Sequence, residues 1–112
     1  MYFSGFADEA SPSIDGQIEV TRALGWKFIE TRQIGSKNLA TLTDAEFDEF
    51  CAKLDEAGIE INCYGSAVAN WAKDARKEED FQKSIEEVKA ALPRMQKLGT
   101  KLLRGMSFAM IN

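Results

Sequence analysis

Three stretches of this chain repeat one local plan: an amphipathic helical pattern, a glycine, and a short strand-prone run. They are Ala23-Leu24-Gly25 before WKFIETR, Glu56-Ala57-Gly58 before IEINCYG, and Lys97-Leu98-Gly99 before TKLLRG. Glycine adopts the left-handed helix cap free of a Cβ penalty, so it marks where each helix stops. Successive strands joined through helices run parallel. The expected class is therefore α/β, with about four parallel strands and three helices in a single domain over residues 1–112.

Local signals set the remaining boundaries. A first strand is expected at residues 2–7, ending at Asp8-Glu9. Ser11 then Pro12 reads as an N-cap followed by proline at the first helical position, opening a helix over about 12–24. A second strand spans 26–31 and a polar loop 33–42. Thr43 and Glu46 form a capping box, in which each side chain satisfies the other's orphan amide. Phe47, Phe50, Cys51, Leu54 and Ala57 make the core stripe of that second helix. A third strand covers 59–64. The loop at 65–77 carries Trp71, and the charged run 73–80 reads as a solvated surface. The third helix is expected over 78–98, lined by Phe81, Ile85, Val88, Leu92, Met95 and Leu98. Pro93 removes a backbone donor inside it, but the stripe stays in phase, which predicts a kink rather than a break. A fourth strand follows at 101–105.

Two parallel architectures compete for this pattern. Central strands of a doubly wound open sheet are buried on both faces and read as continuous apolar runs. Here Ile59, Ile61 and Cys63 alternate with Glu60, Asn62 and Tyr64, and polar residues take alternate positions near the other strand ends. One face packed on helices and one polar towards the C-terminal mouth is the division a (β/α)₈ barrel makes. Right-handed crossovers in the order 1-2-3-4 place all three helices on one side. A lone four-stranded sheet of that kind leaves its other face and two edges bare. The expectation is the first half of a TIM barrel, completed by a missing C-terminal half-barrel or a second copy. The open-sheet alternative, a small α/β domain without enzymatic function, predicts strand order 2-1-3-4 and helices on both faces.

Composition narrows the function classes. A net charge of −4 argues against nucleic acid and anionic membrane surfaces, which select clustered Lys and Arg. No apolar stretch approaches a membrane span, and the start lacks a signal peptide's basic flank and apolar run, so the cytoplasm is expected. The chain has no histidine, which excludes Ser-His-Asp and Cys-His catalysis and any histidine-ligated metal within it. Cys51, on the helical stripe, and Cys63, on the apolar strand face, read as free, buried hydrophobes.

In parallel barrels the site is built at the C-terminal strand ends. Those positions hold Asp8, Glu9, Glu30, Arg32, Tyr64, Ser66 and Arg104. If Glu30 points inward, Arg32 does too by the period of two. Carboxylates and guanidiniums so arranged form a polar ring able to hold hydroxyls or a phosphate. The same residues suit structural ion pairs, Ser66 suits a turn cap, and Trp71 suits either stacking on a sugar face or covering the barrel end.

At these residues the chain resembles the xylose-isomerase-like barrels, the broad group of sugar phosphate isomerases and epimerases. The matching segments are GFADEASPSIDGQ, LGWKFIETR, TDAEFDEFCAKLDEAGIEI, GSAVANWAKD and KLGTKLLRGMSF. Together they cover nearly the whole chain in register. The loop after the third strand departs from the pattern, with Ala67 and Ala69 where relatives often carry proline or glycine.

The resemblance implies an enzyme dependent on a divalent metal of the Mn, Mg, Co or Zn type. It would move a proton between adjacent carbons of a sugar or keto-polyol. The implied metal ligands come from the second half of the barrel and none can be placed on this sequence, so no catalytic or metal-binding residue is assigned here. The matched half supplies the substrate-side wall. Glu30, Arg32, Ser66, Trp71 and Arg104 are its expected substrate contacts, and the chain alone is expected to be inactive. The alternative is a non-catalytic half-barrel that dimerises and binds a sugar-like ligand.

Overall fold

Gly25, Gly58 and Gly99 all take the left-handed conformation, with φ of +71°, +66° and +70°. They close the three helices of a computed structural model that describes residues 1–111. The helices are α1 (Ile14–Ala23), α2 (Asp44–Ala57) and α3 (Glu78–Leu98). The strands are β1 (Phe28–Thr31), β2 (Gln33–Ile34), β3 (Lys37–Asn38), β4 (Glu60–Gly65) and β5 (Leu103–Arg104). No helix among the described residues is long and apolar enough to cross a membrane.

The starts of α1 and α2 follow side-chain caps, whereas α3 begins after Lys77 with none. Thr43 and Glu46 form the reciprocal capping box at the head of α2, with N–H···O distances of 3.2 and 2.8 Å. At α1 the cap is Ser13 rather than Ser11: the Ser13 hydroxyl accepts from the Gly16 amide at 3.1 Å. Pro12 stays outside the helix because its carbonyl accepts from the Gly35 amide, tying it to the β2–β3 turn. That hairpin lies within the expected polar loop. Its two-residue Gly35-Ser36 turn, with Gly35 at φ +63°, reverses the chain between Ile34 and Lys37.

Strands β1, β4 and β5 form a parallel sheet in that order. The N-terminal segment joins the free side of β1 through a single bridge, Phe6 to Glu30, with the Glu30 amide donating to the Gly5 carbonyl at 3.0 Å. Residues 2–7 are therefore not a full strand. Their outer end is held by ring contacts instead, Tyr2 on Phe28 at 4.3 Å and Phe3 on Trp26 at 5.8 Å. The spatial order is thus consecutive, contrary to the 2-1-3-4 order of the open-sheet alternative.

A β-bulge at Asn62 rearranges the faces of β4. Ile29 pairs with Ile61 but Glu30 pairs with Cys63, so Asn62 is the extra residue. Tyr64 thereby turns onto the face of Ile61, and Cys63 onto the other. This reverses the expected alternation of these two residues, which assumed an uninterrupted period of two.

All three helices contribute to one core. Ile14 and Ile18 of α1, Phe47, Phe50 and Leu54 of α2, and Ala91 and Met95 of α3 meet Ile29, Ile61 and Tyr64 of the sheet. Cys51 and Ala57 pack partly against them, as the stripe of α2 requires. Helix α3 runs unbroken through Pro93, but its stripe divides. Ser84, Ala91 and Met95 are buried, whereas Phe81, Ile85 and Leu92 are exposed on its flank. Arg94 fastens α3 to the chain leading into α2 through the carbonyls of Leu39 and Leu42.

Candidate functional site

The sheet face turned away from the helices carries the polar residues. The registers place Phe6, Glu30 and Cys63 side by side, with Gly65 and Arg104 beside them one step towards the C-terminal ends. Towards the N-terminal ends the same face holds Tyr2 and Phe28, so it grades from aromatic to charged along the strands. Gly65 lets β1 and β4 approach here: a Cβ on it would lie 2.2 Å from the Thr31 carbonyl oxygen.

Arg32 and Arg104 share the Phe6 ring, with guanidinium carbons 4.7 and 5.0 Å from its centroid. Attraction of a cation to an aromatic face explains why this phenylalanine sits between them. Their charges are handled differently. The Arg32 Nε donates to Asp8 Oδ2 at 2.9 Å, and its Nη2 reaches Glu9 Oε1 at 3.4 Å. The Asp8 hydrogen bond above all raises the Arg32 pKa, against the opposing effect of burial. Asp8 itself is nearly buried, and its Oδ1 has no partner among the described residues. Arg104 makes no ion pair among them. Its Nη2 donates to the Ser66 carbonyl at 2.9 Å, and its buried Nε–H has no acceptor.

Ser66 joins the two C-terminal strand ends. Its hydroxyl donates to the Arg104 carbonyl at 2.5 Å and accepts from the Val68 amide at 3.1 Å. Beyond it, the loop after β4 and the segment after β5 are laced together. The amides of Met106, Phe108 and Ala109 donate to the carbonyls of Val68, Ala69 and Lys73. Ala69 and Phe108 both hold positive φ, +54° and +65°, a strained backbone of the kind that collects around working surfaces. Trp71 projects from this loop, 78% exposed.

Lys73 departs from the solvated surface expected for 73–80. It is buried, and its Nζ donates to the Ala67 carbonyl and to Glu87 Oε2, both at 2.8 Å, pinning the loop to α3. Of the five expected contacts, Glu30, Arg32 and Arg104 gather on the open face. Ser66 lies next to Arg104 through its backbone, and Trp71 stands out on the loop. Phe6 was not among the sequence candidates. Its signal was its place two residues before the candidate Asp8, in the alternation Tyr2, Ser4, Phe6, Asp8.

The Cys63 thiol is raised above its ordinary value by burial and then by Glu30, with Arg104 opposing, so it is not an activated thiolate. No group of three or more Cys, Asp or Glu converges to hold a metal among the described residues.

A cavity of about 400 Å³ lies elsewhere, between the start of α1, the β2–β3 hairpin and α2. Its lysines are already paired, Lys37 with Glu46 and Lys53 with Asp15 and Glu49. No family model matches the chain, and no curated protein matches it either.

Proposed function

We propose that this chain is the N-terminal half of a (β/α)₈ barrel of the xylose-isomerase-like kind, supplying the substrate-side wall of a metal-dependent sugar or sugar phosphate isomerase or epimerase. The observation that carries this reading is the two-faced sheet. Three helices pack on one face in consecutive order, while the other grades from Tyr2 and Phe28 to Glu30, Arg32 and Arg104. A barrel interior has this grading, with its polar end at the C-terminal mouth. The exposed flank of α3, with Phe81, Ile85 and Leu92, is where a fourth helix would pack. The divalent metal belongs to the complementary half, and no step is assigned to it here.

In this role Glu30 and Arg104 hold substrate hydroxyls or an anionic group, Trp71 covers or stacks on the ligand, and Arg32 keeps the wall in place. The same unpaired flank and open face support a second reading, a half-barrel that pairs with its own copy and binds a sugar-like ligand without catalysis. Intact mass of the protein from its native source, with an assay for metal-dependent isomerisation of sugar phosphates, separates the two. A mass well above 12.5 kDa with metal-dependent turnover is expected. A stable 12.5 kDa dimer without turnover would replace the first reading by the second.

A further inference from the structure

We infer that Arg104 is an anion-binding contact, taking the carboxylate or phosphate of a small hydroxylated ligand, while Arg32 is a positioning residue that holds the wall. The inference rests on reading the open face as ligand-facing. It follows from the unequal treatment of two guanidiniums on one aromatic ring. Arg32 is neutralised by Asp8 and Glu9, so an incoming anion would have to displace carboxylates already in place. Arg104 has no carboxylate partner among the described residues: its guanidinium donates only to the Ser66 carbonyl, and its Nε–H has no acceptor.

A half-buried cation against an aromatic ring and a neutral carbonyl gains strongly from an oxyanion. Charge-assisted bonds to guanidinium are about twice as strong as neutral ones. Arg104 is also held in place before any ligand arrives. Its side chain is tied to the Ser66 carbonyl and its own carbonyl to the Ser66 hydroxyl, so little ordering entropy is lost on binding. Glu30 and Asn62 stand on the same face to meet hydroxyls.

The test is an NMR titration of the ¹⁵N-labelled 112-residue chain at constant ionic strength, following the arginine Nε–H resonances. The probes are inorganic phosphate, gluconate, and chloride as the control. A saturable shift of Arg104 with phosphate, gluconate or both, and none with chloride, is expected. The responding probe identifies whether phosphate or carboxylate is preferred. Arg104→Gln should weaken binding about tenfold or more, in line with losing a charged hydrogen bond. If that variant does not fold, the wild-type resonances still decide, because Arg104 must respond and Arg32 must not. Equal responses at both arginines, no saturable response at Arg104, or undiminished affinity in Arg104→Gln would overturn the inference. Anion binding by a chain that never associates would sink the half-barrel reading alone; association without anion binding would sink only this one.

Discussion

Ile61 and Cys63 stand two residues apart on β4, where an uninterrupted strand would point them the same way. Ile61 is buried among helices, while Cys63 lies on the open face beside Glu30. The helix side is closed over its apolar residues: they come from all three helices and the sheet and form one cluster, with the Thr31 and Tyr64 hydroxyls buried beside it without a partner among the described residues. The open side is unfinished, with half-buried rings, two arginines and an unpartnered guanidinium N–H. Its charge and partial burial are the grounds for proposing that something else completes it.

The sharpest way to break this contrast is at Gly65, where the two faces share one backbone. Gly65→Ala would drive a methyl into the Thr31 carbonyl, an immovable neighbour, and should destabilise by on the order of 3 kcal/mol or more in urea melts. A melt near that of the parent would mean that β1 and β4 are not so closely opposed. Next in size is the pair on β4. Ile61→Ala should cost about 2–5 kcal/mol, the range for emptying a packed aliphatic site. Cys63→Ala should cost under about 1 kcal/mol. Equal losses would erase the distinction between the faces.

Smaller effects probe only the helix side. Thr43→Ala removes one half of the capping box and should lower stability by about 1 kcal/mol, while Thr43→Ser should restore most of it. The smallest effect is in acid. Lys37 above all, and then the Thr43 amide, hold the Glu46 carboxyl below its ordinary value of 4.5. Its folded pKa is depressed, so its contribution is present above pH 4.5 and fades as pH falls through the folded value. Glu46→Gln should therefore flatten the stability profile below that point and leave its shape at neutral pH unchanged. An unaltered acid limb would remove Glu46 from the account of α2.

Helix ends were the most legible part of the sequence, because their signals are local. The Thr43–Glu46 box and the three cap glycines act within one turn of the chain and need no tertiary context. Residues 2–7 were less legible: their composition suits a strand, but pairing depends on how far β1 extends beside them, and only Phe6 finds a bridge. The bulge at Asn62 was invisible to an alternation argument, since one inserted residue reverses every side chain beyond it. The Gly35-Ser36 turn carried a usable signal, a glycine-serine pair flanked by Ile34 and Lys37.

At the candidate site, the period of two correctly put Glu30 and Arg32 on one face, where Arg32 meets Phe6. Which arginine is neutralised was not legible. That depends on Asp8 and Glu9 folding back in the short 3₁₀ turn Ala7–Glu9, a tertiary arrangement rather than a spacing. Lys73 was misplaced for a similar reason, since a lysine in a charged run gives no sign that Glu87 and the Ala67 carbonyl will enclose it.

The most direct test of the unfinished face is the solution mass of the folded 112-residue chain by light scattering across a wide concentration range. Association that rises with concentration, and that Leu92→Glu on the exposed flank of α3 weakens, is the expected result. A well-folded species that stays at 12.5 kDa at every concentration would contradict it, because the open sheet face would then be stable bare.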